Sequence, residues 1–244
     1  YKKMSNITIE SNIGSEAQEI GRIVAKKLDF DFVDRIILSQ IAKKMGSTVS
    51  ALVENENYSP SRIEKLSKKL QIILDKSPIY SVGGDAYTGP GIENILSRTY
   101  VDLERTPVTS AIELDEQKFI STVNEVVNDL ADISKVLIVG RGAGVILKER
   151  KNVLRIAINS DIEDRIKNIT NNNKENSVDD AKRIIYNSDE AQQRYFLRAF
   201  NCSPFDPLLY HVIYNKSLFT IEDIAQNILE LYKEFIESKN YYNG

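Results

Sequence analysis

The sequence predicts an α/β protein in which helices cover both faces of a parallel β-sheet, giving three α/β/α layers. Two observations lead to this prediction. Short runs of β-branched residues alternate along the chain with longer segments whose apolar residues recur at helical spacing. The segments between these runs are far longer than a two-residue hairpin turn, so we expect neighbouring strands to be parallel and joined through helices.

Two β-to-α units open the chain. The run at 7–9 predicts a strand that breaks in the loop at 12–15, and the following helix has an apolar face formed by Ile20, Ile23, Val24 and Leu28. Residues 30–34 predict a second strand, and an amphipathic helix follows it and ends at Gly46.

An irregular segment occupies the middle of the chain. Residues 47–74 have a helical and charged pattern, and residues 78–91 then gather four glycines and two prolines, which is typical of a surface loop. This loop either closes over a ligand or forms a subunit contact in a homo-oligomer. Its composition does not separate the two roles.

The second half continues the alternation of strands and helices. The predicted strands lie at 135–139, 153–158 and 210–214. A short helix follows the first of them, and longer helices are predicted at 119–130, 161–169, 178–200 and 221–235. A polar break at 171–176 separates two of these helices, as in a hinged lid.

Composition excludes several classes of protein. The chain is 42% hydrophobic over 244 residues, which suffices for a substantial core. Its net charge of −3 lacks the basic surplus of a general nucleic-acid binder, and no apolar run approaches the ~20 residues of a membrane span. With a single cysteine, Cys202, and no signal peptide at the start, we expect a cytoplasmic protein without nucleic-acid or membrane partners.

Ligands of open parallel sheets bind at the carboxyl ends of strands. Two glycine-containing segments follow predicted strands in this chain, at 12–21 and at 140–144. We therefore expect the functional site to include these two loops.

The first of these segments also carries a family resemblance. Residues 7–22 read ITIESNIGSEAQEIGR and resemble the ITISREYGSGGREIGR opening of cytidylate kinase-like proteins, a branch of the P-loop nucleoside monophosphate kinases. The resemblance continues in order along the chain, through FVDR at 32–35, VLIVGRGA at 136–143, IAINSDIEDR at 156–165 and YHVIYN at 210–215.

The resemblance implies one P-loop kinase-like domain over residues 1–244. Its core would comprise residues 5–46 and 111–238, with a helical and loop insertion at 47–110 and a short lid at about 170–180. The implied activity is transfer of a phosphoryl group from ATP, with Mg²⁺ bridging the donor phosphates, to CMP or a similar small phosphate acceptor.

The implied phosphate loop departs from the usual pattern. Against GxxxxGK, Ser11 replaces the first glycine, Glu16 the second and Ala17 the lysine. Glu16 either repels a phosphate, by about 4 kcal/mol per charge pair at ~4 Å, or points outward and favours the helix dipole. The residues that would form this loop are Gly14, Ser15, Glu16, Ala17, Gln18 and Glu19.

Two residues are candidates for binding the acceptor. Arg141 would form a bidentate pair with the acceptor phosphate. Its alternatives are a weak dinucleotide fingerprint at 140–144 or a turn glycine beside a surface arginine. Asp34 would contact the acceptor sugar or a metal-bound water, or would instead cap the following helix.

Three cations flank the polar break as lid cations do in monophosphate kinases: Arg165, Lys182 and Arg183. Such charges stabilise the transferred phosphoryl group, whereas the alternative is an ordinary solvated helix face. Gln192 stands where the family's D-x-x-R motif has its arginine, after Asp189, so one cation is missing.

Two functions remain open at this point. The first is an ATP-dependent kinase of small phosphate acceptors, and the second is a binding or regulatory protein that has kept the fold without catalysis. We expect no zinc site built from protein side chains, because the single histidine, His211, and the single cysteine, Cys202, lack the spacing of metal ligands.

Overall fold

Five short strands form a single parallel sheet. They are β1 (Asn6–Ser11), β2 (Asp31–Val33), β3 (Val136–Val139), β4 (Val153–Asn159) and β5 (Val212–Asn215). Their spatial order is β2-β3-β1-β4-β5, and each neighbouring pair is parallel. The computed structural model describes residues 5–34, 110–133, 135–172 and 177–242.

Helices connect the strands within these ranges. The α-helices are α1 (Ala17–Leu28), α2 (Ser110–Ile133), α3 (Ala143–Ile146), α4 (Ile162–Asn172), α5 (Val178–Phe200) and α6 (Ile221–Tyr242). Two 3₁₀ turns flank β5, at Pro207–Leu209 and Lys216–Leu218. The helix predicted to end at Gly46 and the segments at 47–74 and 78–91 lie outside the described residues.

Both faces of the sheet are covered, which confirms the predicted three-layer α/β/α fold. The side chains of β3 alternate between two cores: Val136 and Ile138 pack with α2 and α5, whereas Leu137 and Val139 pack with α1 and α6. All four are buried. This alternation is the period of two expected of a strand that is sandwiched between helical layers.

Several element boundaries differ from the sequence prediction: the helix predicted at 119–130 spans Ser110–Ile133, for example, and the one predicted at 221–235 spans Ile221–Tyr242. Helix α4 includes Asn171 and Asn172, which were predicted to begin the polar break. Strand β5 begins at Val212 rather than at 210, because the Tyr210 amide closes the 3₁₀ turn at Pro207–Leu209 by donating to the Pro207 carbonyl. The helix predicted at 178–200 is confirmed at both ends.

The central strand β1 determines where the site lies. It connects through α1 to β2 on one side, while β4, its other neighbour, connects to β5 on the opposite side. Such a reversal opens a crevice at the carboxyl ends of the strands. A Cβ on Gly21 would lie 2.9 Å from the Phe32 ring and 3.1 Å from Leu137, so this glycine lets α1 lie close against the sheet.

Candidate functional site

The loop after β1 is a tight turn that leads into α1. The Ser15 amide and hydroxyl both donate to the Asn12 carbonyl, at 3.3 and 2.7 Å. Gly14 has φ of +83°, a conformation that glycine adopts without steric cost. Glu16 follows with φ of +58°, and its carbonyl accepts the first helical hydrogen bonds of α1.

Helix α4 braces this turn from one side. Arg165 Nε donates to the Ile13 carbonyl at 2.8 Å, and Asn168 Nδ2 donates to the Gly14 carbonyl at 2.9 Å. The carbonyl and amide of a trans peptide point in opposite directions, so the Gly14 amide faces away from α4. A helix N-terminus also leaves its first amide groups without helical acceptors, and the loop therefore offers donors suited to an anion.

Arg165 is itself held by a carboxylate. Its two terminal nitrogens donate to Asp189 of α5 at 2.8 and 2.6 Å, and Asn12 Nδ2 donates to the same carboxylate at 3.3 Å. Arg165 is 5% exposed. The Arg165 guanidinium therefore links the loop at 12–16 to α5 through hydrogen bonds.

The second glycine loop lies beside the first. Gly140, Arg141 and Gly142 all have positive φ, between +65° and +78°. A Cβ on Gly142 would overlap the Phe200 ring, so only glycine fits there. Arg141 is buried, at 3% exposure, rather than on the surface.

A buried carboxylate, Glu10 of β1, connects the two loops. Its oxygens accept hydrogen bonds from the Gly142 amide at 3.0 Å and from Gln192 Nε2 at 2.8 Å. Burial raises the pKa of Glu10 from 4.5 to about 7, although both hydrogen bonds and the nearby Arg141 charge oppose the shift. Gln192, at the position where the resemblance predicts an arginine, also donates to the Ser11 carbonyl at 3.2 Å.

Glu16 pairs with a lysine that the sequence did not single out. Lys216 Nζ lies 2.8 Å from Glu16 Oε2, and both side chains are largely shielded from solvent. Lys216 opens the 3₁₀ turn after β5, and parallel strands bring that end of β5 to the same edge as the β1 loop. The Glu16 side chain makes no hydrogen bond with the amides of α1.

The side chains of the remaining predicted site residues differ in their exposure. Ala17 is fully buried, whereas the Gln18 and Glu19 side chains are exposed in the first turn of α1. Asp34 is buried and lies 3.5 Å from Arg22. The helix that Asp34 was expected to cap lies outside the described residues.

The remaining predicted cations lie on the exposed face of α5. Arg183 pairs with Asp180 one turn earlier, at 2.7 Å, and is 72% exposed. Lys182 is exposed at the edge of an open cavity of about 460 Å³ between α4 and α5, which is also lined by Ile162, Ile185, Tyr186, Asp189, Glu190, Gln193 and Arg194. Among the described residues, no hydrogen bond joins Lys182 or Arg183 to the loop at 12–16.

The described residues contain no group of three histidine, cysteine or acidic side chains able to hold a metal ion. In the same part of the chain, no helix is long and apolar enough to cross a membrane. His211 accepts a hydrogen bond from the Arg155 amide at 3.0 Å and stacks edge-on against Phe235, which gives it a structural role.

Comparison with known proteins assigns the chain to a family. The model of the cytidylate kinase-like family matches residues 6–218. The chain belongs to this family. No curated protein matches the chain, and its described residues form a parallel sheet between two helical layers.

Several solved structures align with this family member at low sequence identity. An uncharacterized protein from Eubacterium ventriosum is 13% identical, with a TM-score of 0.58 over 96% of this chain and 99% of that one. A gluconokinase from Sinorhizobium meliloti is 10% identical, with a TM-score of 0.49 over the whole of both chains. A shikimate kinase from Acinetobacter baumannii is 14% identical, with a TM-score of 0.47 over 96% and 95% of the two chains.

Proposed function

We propose that this protein transfers a phosphoryl group from ATP to CMP or a similar small phosphate acceptor. The observation that carries the proposal is the loop at 12–16. It lies at the carboxyl end of the central strand in a member of a kinase family, and α4 braces it from outside so that amide groups remain for an anion.

The donor phosphates would bind to the Gly14 amide and to the backbone amides at the start of α1. These groups are fixed before the ligand arrives, and preorganised donors stabilise charge without reorganisation. Mg²⁺ would be held mainly by the donor phosphates and water, because Mg²⁺ in such sites takes few protein ligands. It would supply charge neutralisation for the transferred group.

The acceptor would bind on the other side of the crevice. Asp34 follows β2 and Arg141 follows β3, and these two strands are hydrogen-bonded neighbours. Both residues therefore emerge at the same edge of the sheet. We assign Arg141 to the acceptor phosphate and Asp34 to its sugar hydroxyls, and transfer then depends on positioning and charge neutralisation.

A second function is favoured by a separate observation. The cations nearest the loop already have carboxylate partners, since Arg165 pairs with Asp189 and Lys216 with Glu16. Gln192 replaces another cation. These features favour a binding or regulatory module that retains the kinase fold without catalysis, with Lys182 and Arg183 left as solvated helix residues.

Calorimetry combined with a turnover assay separates the two functions. We expect Mg-ATP, titrated in the presence of CMP, to bind with a Kd of about 100 μM or tighter, equivalent to about −5.5 kcal/mol. ADP formation that depends on CMP or another nucleoside monophosphate would establish the kinase. Binding without turnover would establish the second function, and a folded protein with no binding at millimolar ligand would exclude the kinase.

A loop variant provides the control. A Cβ at Gly14 would lie 3.0 Å from the Arg165 carbonyl oxygen and φ there is +83°, so Gly14→Ala distorts the turn. We expect this variant to lose nucleotide binding while its far-ultraviolet circular dichroism stays that of the parent. Equal affinity in both proteins would show that the nucleotide binds elsewhere.

A further inference from the structure

Lys216 brings a positive charge to the loop at 12–16, which lacks a lysine of its own. Its ammonium lies 2.8 Å from Glu16 Oε2, directly before the first turn of α1. Ala17, at the position of the usual lysine, is fully buried and carries no charge. A lysine from a distant part of the chain therefore reaches the amino end of α1.

We propose that Lys216 supplies the positive charge of the phosphate loop, and that Glu16 holds its ammonium there until a phosphate displaces the carboxylate. The inference rests on the proposed function, because it assigns a positioning cation to the same phosphate site. It also gives Glu16 a defined role as the competitor that the incoming anion must replace.

The backbone of Lys216 is fixed on two sides. The next residue, Ser217, donates its amide to Asn215 Oδ1 at 3.0 Å. Ser217 Oγ accepts from the Asp161 amide at 2.8 Å and shares a hydrogen bond with Ser160 Oγ at 3.0 Å, which ties this turn to the start of α4. Only the flexible four-carbon stem of Lys216 has to move when its partner changes.

The charges around Lys216 determine what an incoming phosphate must displace. Two carboxylates face it, Glu16 and Asp164, and the pKa of Asp164 is lowered by a hydrogen bond with Ser217 and by the charges of Lys167 and Lys216. A nucleotide phosphate carries more negative charge than a carboxylate and more acceptor oxygens. It can therefore take the ammonium from Glu16, whose own charge then opposes the bound phosphate.

This arrangement predicts opposite effects for the two partners of one ion pair. Lys216→Met should weaken binding at least 10-fold, because the phosphate loses its cation. Glu16→Gln should tighten binding several-fold, because the competing carboxylate is gone. An ion pair that serves only stability would instead change binding in the same direction when either partner is removed.

The experiment uses the full chain and two probes, Mg-ATP and inorganic tripolyphosphate, which carries phosphates without a nucleoside. Lys216→Arg is the conservative variant and should restore most of the affinity lost in Lys216→Met. Lys26→Met is the matched control, since Lys26 is exposed in the last turn of α1, at the far end from the loop. Thermal unfolding checks that each variant is folded.

The results separate the role of Lys216 from the existence of the phosphate site. Binding by the parent that is unchanged in Lys216→Met, or lowered equally by both substitutions, would overturn the role of Lys216 and leave the phosphate site standing. Failure of the parent and of Glu16→Gln to bind either probe would overturn the proposed function and the inference together.

Discussion

The Glu10 carboxyl group is ionisable, yet it lies in the interior between β1, the loop at 140–142 and α5. It is 2% exposed, and its pKa of about 7 exceeds the ordinary value of 4.5. The folded protein therefore holds a proton that the unfolded chain releases between these two pH values. Unfolding then becomes easier as the pH rises through this window.

We expect the Glu10→Gln substitution to remove this pH dependence. The difference between 4.5 and about 7 corresponds to about 3 kcal/mol, fully present below pH 4.5 and lost as the pH approaches and passes 7. Urea unfolding of the parent and the variant at pH 5 and pH 8 measures the effect. The parent should lose up to about 3 kcal/mol relative to Glu10→Gln between these two conditions.

The pH dependence of the parent's stability must be compared with that of Glu10→Gln, because other carboxyl groups also titrate. Burial raises the pKa of Glu125 and Asp129, whereas hydrogen bonds lower the pKa of Asp180 and Asp223. All four remain in Glu10→Gln, so their contributions cancel. Parallel stability profiles of parent and variant would show that Glu10 does not hold the additional proton.

At the scale of elements, one ion pair joins the loop at 12–16 to two helices. Arg165 of α4 donates to Asp189 of α5 and to the Ile13 carbonyl. Removing Arg165 deprives the Ile13 carbonyl of its side-chain donor and leaves the partly exposed Asp189 carboxylate with the Asn12 hydrogen bond alone of the three described. We expect Arg165→Ala to lower the free energy of unfolding by about 2–4 kcal/mol, measured by urea denaturation.

Arg183→Ala is the matched control for this substitution. Arg183 also pairs with an aspartate, Asp180, but on the solvent face of α5 and within one helical turn. Exposed pairs of this kind contribute little to stability, so the variant should unfold close to the parent. Equal losses in Arg165→Ala and Arg183→Ala would mean that the buried pair does not hold the loop.

The elements were largely predictable from sequence, whereas the contacts between them were not. Alternating apolar periodicity predicts the strands and helices because it records which face of each is buried, and the parallel three-layer fold is confirmed. The assigned roles of Gly14, Arg141 and Arg165 stay predictions. Glu10 and Lys216 were missed, since their partners Gln192 and Glu16 are brought close only by the strand order.

Charge compensation is also a property of the whole molecule. The net charge is −3, and the charged side chains at the loop are paired within the protein, Glu16 with Lys216 and Arg165 with Asp189. Binding of a polyanion therefore depends on a few local donors instead of a broad positive field. Such binding should appear in global stability, because a ligand that binds only the folded state stabilises it by mass action.

We therefore expect Mg-ATP to raise the Tm of the whole protein. At about 100 times its Kd the ligand contributes about 2.7 kcal/mol, which for a domain of this length corresponds to about 5–10 °C. Differential scanning calorimetry with Mg-ATP, compared with adenosine plus MgCl₂ at equal ionic strength, measures the part due to phosphate. An equal rise with adenosine would assign the stabilisation to the nucleoside, and it would contradict a site whose affinity comes from the amides of the 12–16 loop and from Lys216.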